Sequence, residues 1–314
     1  METSDTIAYV VNLNNDDGFL IISSDRRYDG VLAYVEQGNY NEADVVGNDG
    51  FGFYLGAMKD YLLGPPTPLE PHDPYPSLPF TIDSLCTTLT STAWGQDSPY
   101  NMYCPKINGV STRAGCVAVA LAQIAAFHKF PSSYKNLSLD WESITEDSVP
   151  IFTYDQITLA HFIADVGCSV HTNYGINVST ATNLQAKYCL DSLGYSHSLL
   201  DTINFNTCYE DFLNGRPEYI KGQRVVEHYV NRELVTDTVG HAWVIDGAMV
   251  RSMHLPVKSG FVRVNIQRLL HCNWGNDGNY NGYFNIKALQ PIPSDTTRKP
   301  YINVGIIHNI CPNR

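Results

Sequence analysis

Residues 64–79 read GPPTPLEPHDPYPSLP, and seven of them are proline. Proline fixes φ and lacks the amide donor, so this run cannot be a helix or a central strand. It divides the chain into a short N-terminal part and a much longer C-terminal part. We expect three segments: 1–64, a linker at 65–85, and a main domain at 86–314. The first segment reads as β-rich. Apolar runs at 7–13, 19–24 and 31–35 flank the turn cluster Asn14-Asn15-Asp16-Asp17-Gly18. Residues 53–63 then place Tyr54, Leu55, Met58, Tyr61 and Leu62 at helical spacing before Gly64.

Beyond the linker the texture changes once. Residues 116–129 are apolar almost all round, which marks a helix buried on most faces, and Pro131 closes it. Residues 156–166 put Leu159, Phe162, Ile163 and Val166 on one helical face. A further helix is expected at 179–193, with Ser179 as its N-cap and Gly194 at its end. From about 215 onward, short apolar runs alternate with Asp-Gly, Asn-Gly and Ser-Gly turns: 219–220, 224–230, 242–245, 261–266, 270–274, 282–286 and 302–307. Helices at 86–214 followed by an antiparallel sheet at 215–314 is an α+β arrangement.

The net charge of −12 argues against a nucleic-acid backbone as partner, because that binding rests on clustered Lys and Arg. No stretch reaches the length of a membrane span. The first residues carry neither a basic region nor an apolar core, which fits either a cytosolic protein or an exported one that has shed its signal. Eight cysteines are present without a C-x-x-C pair, which speaks against zinc ribbons and thioredoxin-like sites.

Three separated motifs carry chemistry in a fixed order. Cys116 opens the apolar helix after Gly115; His241 lies in Gly240-His241-Ala242-Trp243; Asn273-Trp274 follows on a later strand. A thiol attacks as thiolate, and a helix start supplies positive potential and unpaired N–H groups. Cys116 is therefore the candidate nucleophile, and Gly115 lets a substrate backbone come close. His241 is the candidate general base and acid, with Gly240 leaving room for substrate beside it. Asn273 is expected to accept from the far ring nitrogen of His241, and Trp274 to shield that bond. Gln96 is expected to donate its amide to a developing oxyanion together with the Cys116 N–H. His271 and Cys272 point to opposite faces of their strand, so no metal site is expected there. Taken singly, each residue also fits a core cysteine, a strand histidine or a core tryptophan. The order of the three carries the reading.

The segment Thr112-Arg113-Ala114-Gly115-Cys116-Val117-Ala118, continued by Ala122-Gln123-Ile124 and Phe127-His128-Lys129-Phe130-Pro131, resembles the cysteine segment of the streptopain family of bacterial cysteine peptidases. So do Ala164-Asp165-Val166-Gly167, Asn173-Tyr174-Gly175, residues 240–247, Cys272-Asn273-Trp274-Gly275 and Asn281-Gly282-Tyr283-Phe284. Trp94-Gly95-Gln96 is similar to the family's oxyanion segment. The likeness runs over about residues 86–308 and extends to the interpain-type proteases of Bacteroidetes. Residues 18–25 and 31–34 are similar to the family's inhibitory prosegment.

The resemblance implies a papain-like fold and a secreted zymogen that hydrolyses protein or peptide substrates through an acyl-thioester. The prosegment, short at its start, would act as intramolecular inhibitor and leave by cleavage near the linker. No cofactor is implied. Two features depart from the family: Asn276 stands where a second tryptophan is usual, and residues 249–267 are longer, as an extended hairpin would be. Two other readings remain at this point: transfer of the acyl group to an amine, and a surface binding protein on a decayed protease fold.

Overall fold

A computed structural model describes residues 6–25, 28, 30–45, 47–64, 80–200, 202–230, 233–257, 260–290 and 302–313. The proline run at 65–79 lies outside the described residues. The N-terminal segment forms strands β1 (Ala8–Asn12), β2 (Phe19–Ser23) and β3 (Val31–Val35), a short helix α1 (Glu42–Val45), and helix α2 (Asp49–Leu63). Helix α2 starts four residues earlier than its apolar spacing suggests. Asn48 caps it by accepting from the Phe51 N–H at 2.9 Å, so Asp49 and Gly50 form its first turn. After the proline run, β4 (Phe80–Cys86) is a true strand, so the expected linker is regular structure from residue 80 onward.

The helical half contains the two-residue hairpin β5 (Lys106–Ile107) and β6 (Val110–Ser111), then helix α3 (Cys116–His128). A second small hairpin, β7 (Ser133–Tyr134) with β8 (Leu137–Ser138), precedes α4 (Trp141–Ile144), α5 (Thr153–Ser169) and α6 (Asn183–Leu193). Ser179 does not cap α6. Thr182 does, in a capping box with Gln185, while the Ser179 hydroxyl donates to the Arg113 carbonyl at 2.7 Å. Gly194 ends α6 in the left-handed conformation, as expected. Strand β9 (Tyr195–Leu200) and helix α7 (Phe205–Leu213) have no clear sequence signal.

The strands of the second half are longer than their apolar runs. They are β10 (Glu218–Val230), β11 (Glu233–Val257), β12 (Gly260–Asn273), β13 (Gly282–Asn285) and β14 (Ile302–Pro312). The expected extended hairpin is present: β11 and β12 pair antiparallel out to Val257 opposite Gly260. One sheet runs in the order β1-β2-β3-β13-β12-β11-β10-β14-β9, with β4 on the outer half of β11. The N-terminal segment thus joins the sheet through β3 and β13.

Alternation along β10 and β11 sends side chains into two cores. Tyr219, Ala242 and Val244 pack with α3, α5 and α6. Ile220, Trp243 and Ile245 pack with Phe51, Phe53, Tyr54 and Met58 of α2. Phe53 lies 5.7 Å from Trp243, and Tyr54 lies 4.7 Å from Phe284, ring centre to ring centre. Each such buried aromatic contributes about 1.5–3 kcal/mol. Helix α2 is therefore held by a real core against the sheet that carries the candidate site. The fold is α+β, with a helical part and an antiparallel β part.

Candidate active site

Cys116 is the first residue of α3. Gly115 before it has φ +96°, a backbone shape that other residues rarely adopt, and this turn aims the thiol at the sheet. His241 sits on β11, 2 % exposed. Burial alone would push the Cys116 thiol up. The imidazole of His241 outweighs it, by a hydrogen bond and by its charge, and the Ala242 N–H and the Lys221 ammonium add to this. The thiol therefore titrates below its ordinary value. Burial would likewise push His241 down, but the facing Cys116 thiolate, the Trp274 carbonyl and the Asp49 carboxylate bring it above its ordinary value. Both shifts favour a thiolate–imidazolium pair.

The second ring nitrogen of His241, Nε2, donates to the backbone carbonyl of Trp274 at 2.8 Å. This differs from the expected bond to the side chain of Asn273. Asn273 is buried and acts one step back: its Nδ2 donates to the Thr92 carbonyl at 2.8 Å, and its Oδ1 accepts from the Gly275 N–H at 3.2 Å. It holds the Gly275 N–H, which shares a peptide group with the carbonyl that holds the imidazole, and ties this turn to Thr92. A backbone acceptor has no signature in a sequence, whereas the Asn273 side chain has one. The Trp274 indole is fully buried, donates to the Tyr280 carbonyl at 2.9 Å, and lies 5.1 Å from Trp243.

Gln96 is 4 % exposed, and its backbone carbonyl accepts from the Ala114 N–H at 2.9 Å, two residues before Cys116. Gly240 is exposed beside His241 and pairs with Gln223 of β10. His271 is occupied otherwise. Its Nδ1 meets the buried Asp246 carboxylate at 2.6 Å, and the other Asp246 oxygen accepts from the Thr90 N–H and hydroxyl. All eight cysteines are free thiols.

Three contacts were not legible in advance. Lys221, next to the buried Ile220 on β10, is half-buried, and its charge acts on the Cys116 thiolate. Arg113 pairs with Asp49 and lies 3.6 Å from Asp97. Gly50, in the first turn of α2, lies directly over the site. A Cβ there would stand 2.8 Å from Cδ2 and Nε2 of His241 and 2.8 Å from the Trp274 ring. The side chain of Asn48 ties this helix start down by donating to the Asn279 carbonyl at 2.9 Å. The N-terminal segment thus fills the space above the histidine.

Comparison with known proteins bears on the fold and the family. Residues 94–284 match the Peptidase C10 family, and residues 2–62 match the Spi protease inhibitor family. Streptopain of Streptococcus pyogenes is 24% identical over 334 residues, covering 92% of this chain and 76% of streptopain. The thiol protease/hemagglutinin PrtT of Porphyromonas gingivalis is 24% identical over 92% of this chain and 35% of its own length. Among solved structures, a mutant fragment of prointerpain A from Prevotella intermedia superposes with a TM-score of 0.66 at 20% identity, covering 96% of this chain and 98% of that one. Active interpain A superposes with a TM-score of 0.51 at 19% identity, covering 72% and 95%. The catalytic fold and the inhibitory segment in front of it are both accounted for, and the chain belongs to the Peptidase C10 family of cysteine peptidases.

Proposed function

We propose that this chain is the zymogen of an endopeptidase in which Cys116 and His241 do the chemistry. The observation that carries the reading is the charge pairing of a helix-start thiol with a buried imidazole held from behind by a carbonyl. The Cys116 sulfur attacks the scissile carbonyl carbon. The oxyanion that forms takes hydrogen bonds from the Cys116 N–H and the Gln96 amide. The imidazolium of His241 gives its proton to the leaving amine, the C–N bond breaks, and an acyl-thioester remains. Neutral His241 then takes a proton from water, the hydroxide displaces sulfur, and thiolate and imidazolium are restored. Asn273 positions the Trp274 carbonyl; Trp274 keeps water from the histidine; Gly115 and Gly240 admit the substrate backbone.

Residues 1–64 act as the inhibitor in this reading, with Asp49 and Gly50 closing the site. Maturation cuts within the linker at 65–85, and residues 86–314 form the catalytic domain. A cut before residue 80 leaves β4 paired with β11 in the mature enzyme. Substrates are proteins or peptides, and the enzyme works outside the cell or at its surface, as the family resemblance implies.

The test is a time course of the purified chain under reducing conditions beside Cys116→Ala, followed by intact mass and N-terminal sequencing. Loss of roughly 60–80 residues in the parent alone, with gain of cleavage of a denatured protein, is the expected result. A parent that neither processes itself nor cleaves casein after limited trypsin treatment would sink the reading. Recovery of the processed form from the medium of the producing cell tests the location.

A further inference from the structure

Away from the active site, α7, β10 and β14 bring three ionisable side chains together. One ligand-capable atom each from Asp211, Glu218 and His308 lies within 4.8 Å of the others. Glu218 has no exposed surface, and among the described residues its carboxyl meets the Cys208 thiol and the Asp211 carboxyl but no donor at normal hydrogen-bond geometry. An interior carboxylate with only a thiol and a second carboxyl beside it is costly unless a cation or a proton meets it.

The surroundings are those of a ligand set with outer support. Asp211 Oδ2 accepts from the Asn309 N–H at 2.8 Å and lies 3.2 Å from His308 Nδ1. Arg216 stands 3.6 Å from Asp211 Oδ1 and also donates to the Asn309 side chain. These bonds orient Asp211, as outer groups orient metal ligands. Strand β14 is irregular directly after His308, where Asn309 has φ +54°. Such bulges re-aim a side chain. The thiol of Cys208, one turn before Asp211 on α7, borders the Glu218 carboxyl.

One imidazole nitrogen, two carboxylates and a neighbouring thiol match the donors that zinc prefers. Calcium and magnesium take oxygen alone and more of it. Metal–ligand bonds of about 2.1 Å put tetrahedral ligands about 3.4 Å apart, so the cluster must draw in slightly to close on an ion. We propose that Asp211, Glu218 and His308 form a zinc-type metal site, with the Cys208 thiol beside Glu218 drawn in from outside the three as fourth donor, that clips α7 and β14 to the first residue of β10. This clip has a bearing on the active site. Glu218 pairs with Ile245 of β11, and β10 goes on to carry Lys221 and to lie opposite His241.

The test uses the full chain as Cys116→Ala, which removes the catalytic thiol as a metal ligand and prevents self-cleavage. The chain is equilibrated with micromolar Zn²⁺, dialysed, and assayed for metal per chain and for Tm. One zinc per chain with a raised Tm is expected. Glu218→Gln and His308→Ala should each weaken zinc binding at least about tenfold. Co²⁺ in place of zinc should give a near-ultraviolet thiolate absorption that Cys208→Ser removes. This reading needs no ligand variant to fold, because the band and a chelator titration are measured on Cys116→Ala itself. The proposal is overturned by a chain that retains no metal and whose Tm ignores Zn²⁺; a proton shared between Glu218 and Asp211 would give that result. Stoichiometric zinc kept by both variants, or a Tm raised by Ca²⁺ or Mg²⁺ instead, overturns it equally.

Discussion

Replacing Gly50 with alanine puts one methyl group against the ring of His241. The added Cβ would sit 2.8 Å from His241 Cδ2 and Nε2 and from Trp274 Cε3. Neither ring can step aside. His241 is fixed by the Trp274 carbonyl, and the Trp274 indole is fully buried and bonded to Tyr280. The start of α2 must therefore lift. Overpacking of this kind costs about 1–3 kcal/mol. Alanine returns up to about 1 kcal/mol as the better helix former. At mid-range, about 2 kcal/mol less about 1 kcal/mol leaves about 1 kcal/mol against the docked segment, a site open ~5-fold more often.

The assay is the initial rate of iodoacetamide labelling at Cys116 in the intact chain, read by peptide mass before processing begins. The exposed Cys168 serves as internal reference. Gly52→Ala is the control. Its Cβ would meet only the Val45 carbonyl at 3.7 Å and the Val45 side chain at 3.9 Å, so it gains helix propensity without a clash and should label no faster than the parent. Labelling of Gly50→Ala at the parental rate, with the helix content unchanged, would refute the argument that this helix start is the gate. An equal rise in both variants would assign the effect to the helix rather than to the contact.

Other expectations follow from the same geometry. The lowered thiol and raised imidazole predict a bell-shaped kcat/KM profile for the mature enzyme, rising as the thiol ionises at lower pH than a free cysteine and falling as His241 deprotonates at higher pH than a free histidine. Asp49 helps to raise His241, so Asp49→Asn in the intact chain, which removes the charge and keeps the cover, should move the alkaline limb of Cys116 labelling to lower pH. Asn273→Ala should lower kcat/KM by roughly 5–150-fold through the loosened Trp274 carbonyl, with the alkaline limb shifted down, as a pH profile will report. Arg224→Ala removes two hydrogen bonds to Asp60 of α2, at 3.2 and 2.8 Å, and should speed self-processing a few-fold with little change in mature kcat/KM, seen in parallel gel time courses and peptide kinetics.

What the sequence shows and hides has physical causes. The helix from Cys116 is legible at both ends, because an all-round apolar run has only one home and Pro131 stops it. Strand β11 is not legible as one 25-residue element. Its outer part is polar, Gly240 and Gly247 interrupt the pattern, and its continuity comes from β10, β4 and β12 lying beside it. The α6 cap was misplaced by three residues because Ser179 and Thr182 are equally good caps on paper; the Arg113 carbonyl claims the first. Cys116 and His241 stand out because their chemistry needs those side chains. The acceptor behind His241 does not, since any residue has a carbonyl. Gly50 was invisible for the opposite reason: its role is to have no side chain where one would collide.

The junction of β3 with β13 gives maturation a second outcome. Val35, Tyr34 and Ala33 pair with Gly282, Tyr283 and Phe284, and Gly282 has no side chain standing between the strands. Departure of the N-terminal segment turns β13 from an interior strand into a border, with amides and carbonyls facing outward and no charge or proline among Gly282, Tyr283, Phe284 and Asn285 to blunt it. An extended stretch of any chain can dock there by main-chain bonds. Release of the enzyme from its inhibitor therefore also creates an adhesive edge, and the freed segment, a neighbouring enzyme molecule and an unfolded substrate become competitors for the same row of hydrogen bonds.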